Sequence, residues 1–400
     1  MTNAAQPSRP AQPTDSRATE ARHLLGAGAR LPMEIVRGEG AWVWDEQGTR
    51  YLDLYGGHAV TVLGHCHPEV TRAVQEQAGK LLFYSSLTWS APRAEAAARL
   101  VRLMPKNLEK VFFVNSGSEA NENALKIARR FRDRRKVITF RGGFHGRTYG
   151  AASVTALAPY DRQHKDNVPG TIVCRWGDLD DVRAKLGGDV AAVIIEAVQS
   201  LQGCRTATRE FLQGLEDLCR ARAAALIMDE VQTSPARCGA PSASRLFGLT
   251  PHLVTTAKGI ANGVPCAAVI VDKALSETIQ GPELGSTFGG GPLAMAACAA
   301  TLRVIEEGKL WERAAALGER LRARLAGAPG VVEVRGLGLL VGVVLDRDTK
   351  AVQAALREKA RVLVAGSSDP NTLRLFPPIT IGEDELDQGC DAIKRVLGGS

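Results

Sequence analysis

Four short segments of this 400-residue chain carry residue types that could do chemistry, and each follows an apolar run. Lys258 comes directly after Leu253-Val-Thr-Thr-Ala257 and enters a loop containing Gly259, Gly263 and Pro265. An amine in a partly desolvated, cationic site has a lowered pKa and forms imines with aldehydes, whereas most lysines are merely solvated. Asp229-Glu-Val-Gln232 follows the apolar run 224–228. A carboxylate there could pair with a protonated pyridine nitrogen and keep the ring an electron sink, with Gln232 donating to the ring's 3′-oxygen; it could equally cap a helix or pair with an arginine. Asn115-Ser-Gly-Ser-Glu-Ala-Asn121 follows Val111-Phe-Phe-Val114 and opens a helical pattern. Gly117 permits a tight turn there, and Ser116 and Ser118 with unpaired backbone N–H groups can hold a phosphate or simply cap the helix. Arg141-Gly-Gly-Phe-His-Gly-Arg-Thr148 follows the run 137–140. Phe144 could stack on a planar heteroaromatic ring and Arg147 could grip a substrate carboxylate, unless the segment is only an exposed glycine-rich turn.

The elements that must position these residues are legible in the apolar runs. Strands are expected over 111–114, 137–140, 171–174, 190–195, 224–228, 253–256 and 266–271, with helices over 68–80, 91–104, 119–131 and 210–221. Such alternation implies an α/β chain with a mostly parallel sheet covered by helices, binding its ligands outside the carboxyl ends of the strands. Short strands over 41–45 and 51–55, joined by a turn at Gly48, open a small lobe. From Ala294 the pattern changes to long helices over 294–307 and 310–325, strands over 331–335 and 339–345, a helix, a strand pair near Val362 and Leu373, and a terminal helix from Glu383. The expected division is a disordered tail over 1–20, the N-terminal segment of a small α+β lobe over 21–65, a large domain over 66–295 and the C-terminal small domain over 296–400.

Composition narrows the function. An apolar content of 45% with 23% charged residues is that of an ordinary soluble chain, and no apolar run reaches the length of a membrane span. The net charge of +7 is spread through amphipathic stretches, and aromatics are only 5%, so no nucleic-acid surface is expected. Eight scattered cysteines without a C-x-x-C pair read as free thiols in a reducing cytosol, with no metal site. The first twenty residues lack an apolar h-region and include Asp15 and Glu20, against a secretory signal. Gly336-Leu-Gly338 lies between strands and lacks a third glycine, against a nicotinamide oxidoreductase.

Taken in order, Gly64-His-Cys-His-Pro68, Asn115-Ser-Gly-Ser-Glu-Ala-Asn121, Phe144-His-Gly-Arg-Thr148, Asp229-Glu-Val-Gln232, Ala257-Lys258 and Ser286-Thr-Phe-Gly-Gly290 make one pattern. With it the chain resembles class III aminotransferases from about Leu31 to Leu397, and among them most resembles acetylornithine and acetyl-lysine aminotransferases. The resemblance implies fold type I of the pyridoxal-5′-phosphate-dependent transferases, with Lys258 carrying the cofactor as a Schiff base. It implies Asp229 as partner of the pyridine nitrogen, Gln232 as a contact to the 3′-oxygen, Gly117 and Ser118 at the phosphate, and Phe144 stacked on the ring. Thr287 would reach the phosphate of the neighbouring subunit's cofactor, which requires a homodimer with active sites at the interface. Arg147 and Arg374, the latter in Leu373-Arg-Leu-Phe-Pro-Pro378, match the arginines that hold substrate carboxylates. The implied reaction is ping-pong transfer of an amino group between an N-acetylornithine-like or other amino donor and 2-oxoglutarate, in the cytoplasm.

The chain departs from the family pattern at several points. Glu196-Ala-Val-Gln-Ser-Leu201 stands for Glu-Pro-x-Gln-Gly-Glu and so lacks the second glutamate, which in ornithine-type enzymes hides the arginine matching Arg374. Ala236-Arg-Cys-Gly239 replaces Gly-Arg-Thr-Gly, Gly291 replaces the asparagine before Pro292, and His58 stands where ornithine enzymes carry a substrate-gripping tyrosine. An α-amino donor, an aminomutase or decarboxylase on the same fold, and a non-catalytic cofactor-binding regulator are the alternatives.

Overall fold

Seven strands form the central sheet of the computed structural model, in the order Leu108–Val114, Ala267–Asp272, Leu253–Thr256, Ala225–Asp229, Val190–Ile195, Lys136–Phe140 and Thr171–Cys174. The structure describes residues 15–26, 30–131, 133–161, 168–281 and 283–399. Only Ala267–Asp272 runs antiparallel to its neighbours. Val190–Ile195, Ala225–Asp229 and Leu253–Thr256 are buried at every residue, as strands covered on both faces must be. One covering helix, Gly117–Phe131, buries Ala120, Ala124, Leu125, Ile127 and Ala128 on a single stripe. Another, Arg209–Ala221, is capped by the Thr208 hydroxyl, which accepts from the Phe211 N–H at 3.2 Å. Its buried Phe211, Leu212 and Leu215 contribute about 1.5–3 kcal/mol each.

Both ends of the chain meet in one small sheet. Ile35–Glu39, Trp42–Asp45 and Arg50–Asp53 form an antiparallel meander, and Val362–Leu363 adds to it parallel to Arg50–Asp53. A second sheet of Val331–Leu337, Leu340–Leu345 and Thr372–Leu375 is wholly antiparallel. Val362 and Leu373, expected as a strand pair, therefore lie in different sheets. The reason is that Leu52 and Leu54 donate to the carbonyls of Arg361 and Leu363, so only an Ala365–Arg374 bridge joins the two segments.

Two other boundaries shift. The expected division at 295/296 cuts the helix Pro292–Glu307, which buries Met295, Cys298, Leu302 and Ile305 and packs against Pro68–Lys80, Ala91–Leu103 and the turn beginning at Lys258. Of the tail expected over 1–20, residues 1–14 lie outside the described residues; Ser16–His23 form a helix because the Asp15 side chain accepts from Arg17 N at 3.1 Å and Ala18 N at 3.2 Å. Among the described residues no helix is long and apolar enough to cross a membrane.

Candidate active site

The carboxyl ends of the Leu108–Val114, Lys136–Phe140, Ala225–Asp229 and Leu253–Thr256 strands open onto a cavity of about 440 Å³. Ser116, Gly117, Ser118, Phe144, Arg147, Asp229, Gln232 and Lys258 all line it, so the four segments singled out in the sequence converge.

Asp229 ends its strand buried, with its carboxylate fixed from three sides. His145 Nδ1 lies 2.8 Å from Oδ2, Asn121 Nδ2 donates to the same oxygen at 2.7 Å, and Val231 N donates to Oδ1 at 3.1 Å. Asn121 is itself held, donating to the His145 carbonyl at 2.7 Å and accepting from the Thr255 hydroxyl at 2.6 Å. The neighbouring acid turns the other way. Glu230 accepts from Ala243 N at 2.6 Å, Ser244 N at 2.8 Å and the Ser244 hydroxyl at 2.6 Å, so it organises the next helix instead of the cavity. Asp229 and Glu230 thus divide the two readings open in the sequence, one acid facing the cavity and one capping.

Lys258 begins a single 3-10 turn, Lys258–Ala261, with φ of 43°, a left-handed conformation that costs a lysine about 1–3 kcal/mol and clusters at functional sites. Asn262 holds this turn against the Gly64 segment, accepting from Leu63 N at 2.8 Å and donating to the Gly64 carbonyl at 2.9 Å. Burial pushes the Lys258 amine below its ordinary pKa, opposed by the nearby Asp229 and Glu196 carboxylates. Glu196 is buried and accepts from Phe144 N at 2.9 Å; burial, reinforced by the Asp229 charge, holds its carboxyl well above the usual range.

At the start of Gly117–Phe131 the Ser116 hydroxyl accepts from Glu119 N at 3.2 Å, a cap, while the Ser118 hydroxyl accepts from Arg147 N at 3.1 Å. That second bond brings two loops so close that a Cβ on Gly146 would lie 2.2 Å from Ser118 Oγ, and Gly146 has φ of 136°. Only glycine suits both demands. The Ser118 proton and the first N–H groups of a 15-residue helix remain for an anion in the cavity.

Phe144 meets Tyr160 nearly edge-on at 5.2 Å, and the Arg147 guanidinium lies 5.1 Å from the Tyr160 ring. Arg374 is 7% exposed, and its partners are neutral: Nε donates to the Gly366 carbonyl at 2.6 Å and Nη1 to the Ser200 hydroxyl at 3.3 Å. Among the described residues no carboxylate forms an ion pair with Arg374, and burial lowers its pKa. The Leu201 carbonyl accepts from Ser368 N at 2.9 Å and the Ser368 hydroxyl at 2.8 Å. His58 has φ of 68°, and its ring is tilted by 55° against Tyr55 at 4.8 Å; burial, with Arg374, Lys258 and Arg147 nearby, pushes its pKa down. Two of the expected residues are not in the cavity lining: Arg374, which lies buried near Lys258, and Thr287, which is exposed in the loop before Gly289.

The sequence pattern assigns no role to Asn121, His145, Tyr160 or Ser200. A polar Asn121 on the apolar stripe of a helix was a usable signal, since a buried amide demands partners. Tyr160 and Ser200 gave none.

An anion seat at a helix N-terminus, an aromatic wall, a fixed acid and an amine of lowered pKa fit the phosphate, ring, ring nitrogen and aldehyde of pyridoxal 5′-phosphate. Such a set at the edge of a mostly parallel sheet fits a pyridoxal-phosphate-dependent enzyme. The family described as Aminotransferase class-III matches residues 26–397, and the chain belongs to that family. It is 41% identical to an acetylornithine aminotransferase of Methanopyrus kandleri, covering 96% of this chain and 100% of that protein. A [LysW]-aminoadipate semialdehyde transaminase of Deinococcus radiodurans is 38% identical over 95% of this chain and 89% of its own length. The crystal structure of the ornithine aminotransferase from Toxoplasma gondii superposes with a TM-score of 0.89 at 29% identity, covering 95% and 94% of the two chains. The enzyme is a pyridoxal-phosphate-dependent aminotransferase.

Proposed function

We propose that the enzyme moves an amino group from an N-acetylornithine-like donor to 2-oxoglutarate, in the cytoplasm, with each active site shared by two copies of the chain. The observation that carries the acceptor is Arg374, a buried cation whose hydrogen-bond partners among the described residues are neutral and which lies close enough to Lys258 and His58 to act on their charges, beside a cavity that Arg147 lines. A dicarboxylic 2-oxo acid supplies an anion for each arginine, and a buried guanidinium favours a carboxylate strongly. The names of the relatives support the donor.

Bound pyridoxal phosphate supplies a ring that takes up the electrons left on the substrate carbon when its proton departs. The chain does the rest. The Gly117 N–H and the Ser118 hydroxyl bind the phosphate, Phe144 covers the ring, Gln232 donates to the 3′-oxygen, and Asp229 keeps the ring nitrogen protonated. Lys258 would hold the cofactor through Nζ and, as a free amine, would take up the proton that leaves the substrate carbon. Burial, which lowers its pKa, favours the neutral, basic form of the amine that this role needs. Thr287 serves the partner's phosphate. The surface around it supports this pairing: Trp89, Leu87, Leu82 and Phe288 are exposed, and Phe83 and Phe288 meet at 5.3 Å.

Leu201 favours a second reading of the donor. It offers Arg374 no counter-charge, so donors with an α-carboxylate beside the amine should be handled relatively well. A donor panel, read by conversion of the cofactor absorbance in single turnovers, separates the two. Efficient conversion by N-acetylornithine supports the proposal, and Leu201→Glu should raise the ratio of ω-amino to α-amino efficiency about tenfold. Conversion by α-amino donors alone rejects an N-acetylornithine-like donor, and a ratio unmoved by Leu201→Glu rejects the role given to Leu201.

A further inference from the structure

We propose that Ser200 is a positioning residue that couples Arg374 to Gln232, an inference resting on the roles proposed above for those two side chains. Ser200 lies at the tip of the hairpin formed by Val198–Gln199 and Arg205–Thr206, where its carbonyl accepts from Gly203 N at 3.0 Å and Cys204 N at 3.1 Å. Its side chain is fully buried between two polar partners, with Arg374 Nη1 at 3.3 Å and Gln232 Oε1 at 2.9 Å.

Hydrogen-bond capacity sets the direction of both contacts. A guanidinium has donors only, so the Ser200 oxygen accepts from Arg374. The single hydroxyl proton then needs an acceptor, because a buried donor left unpaired loses its hydration without return. Gln232 Oε1 is that acceptor. With its oxygen committed to Ser200, Gln232 has its NH2 group left for the cavity it lines, which makes it a donor there. A donor is the sense required by an anionic oxygen on the cofactor ring.

The same hydroxyl touches the substrate-carboxylate arginine, whose other side-chain hydrogen bond goes to the Gly366 carbonyl. A carboxylate arriving at Arg374 competes for the guanidinium, and through one oxygen atom the change reaches the group that faces the ring. Hydrogen bonds in such a chain polarise one another. Ser200 thus fixes which end of the Gln232 amide meets the cofactor and links occupancy of the carboxylate site to the ring's electronic environment.

The test uses holoenzyme at fixed pH with two readouts: the position of the cofactor's visible absorption band, and the Kd of glutarate, an unreactive dicarboxylate, from its effect on that band. Ser200→Ala should move the band in the same direction as Gln232→Ala and weaken glutarate about threefold to tenfold. Ser200→Gly should do the same, since the hydroxyl and not the packing is at issue. In a Gln232→Ala background, Ser200→Ala should add no further band shift. If Gln232→Ala moves the band while Ser200→Ala and Ser200→Gly leave band and glutarate affinity unchanged, the inference alone is wrong. If Gln232→Ala itself leaves the band in place, the role proposed for Gln232 falls and the inference falls with it.

Discussion

At the scale of single residues, the acid at the end of Ala225–Asp229 is the best-determined group in the cavity. Its carboxylate has three donors, one of them buttressed by Thr255 through Asn121, so neither its position nor its rotamer is free. Asp229→Asn keeps the shape and removes the charge, and should lower turnover by about 10²-fold or more while the protein stays folded. Steady-state kinetics beside thermal melting checks this; a variant as active as the parent would make Asp229 a structural acid only. Most of the residues around it were legible as strings, because a lysine, an acid and a helix-opening Ser-Gly-Ser after apolar runs are local features. Their second layer was not. His145 and Glu196 meet Asp229 or Phe144 only when separate strands are placed side by side, and no local spacing encodes that contact.

At the scale of elements, helices and the longer strands were readable because their apolar periods are strong: Pro68–Lys80, Thr171–Cys174, Val190–Ile195 and Leu253–Thr256 fall where the pattern put them. Short elements were not, since the two residues of Val362–Leu363 carry no period and their partner is decided by distant carbonyls. Neither was the allegiance of Pro292–Glu307, whose apolar surface says that it is buried but not against what. The element contact most exposed to a single change is the crossing of the 144–148 loop over the start of Gly117–Phe131. Gly146→Ala would put a methyl group where Ser118 Oγ now sits and add left-handed backbone strain, together costing about 1–3 kcal/mol or more. Because the displaced group is Ser118, the loss should appear as cofactor affinity: the Kd of pyridoxal phosphate rises about tenfold or more in equilibrium titrations, with secondary structure retained. An unchanged Kd would show that Ser118 does not contribute to the phosphate seat.

At the scale of the whole molecule, segments from both halves of the chain return to one small sheet, and the segments after Arg50–Asp53 and within Thr372–Leu375 place His58 and Arg374 near Lys258, which lines the cavity that the central sheet opens. In the proposed reading, substrate recognition from that side and cofactor chemistry from the strand ends of the sheet meet at Lys258. This long-range closure is what an inspection of segments could least anticipate, and it explains why Arg374, some 116 positions beyond the lysine in the chain, acts electrostatically on it. The account stands or falls on that lysine. The most direct measurement is glutamate production from 2-oxoglutarate and an accepted amino donor by purified Lys258→Ala that has been loaded with pyridoxal phosphate, alongside the parent. The expected result is cofactor still bound noncovalently and glutamate formation lower by about 10³-fold or more; turnover near that of the parent would contradict the assignment of Lys258 as the residue that carries the cofactor and moves the proton.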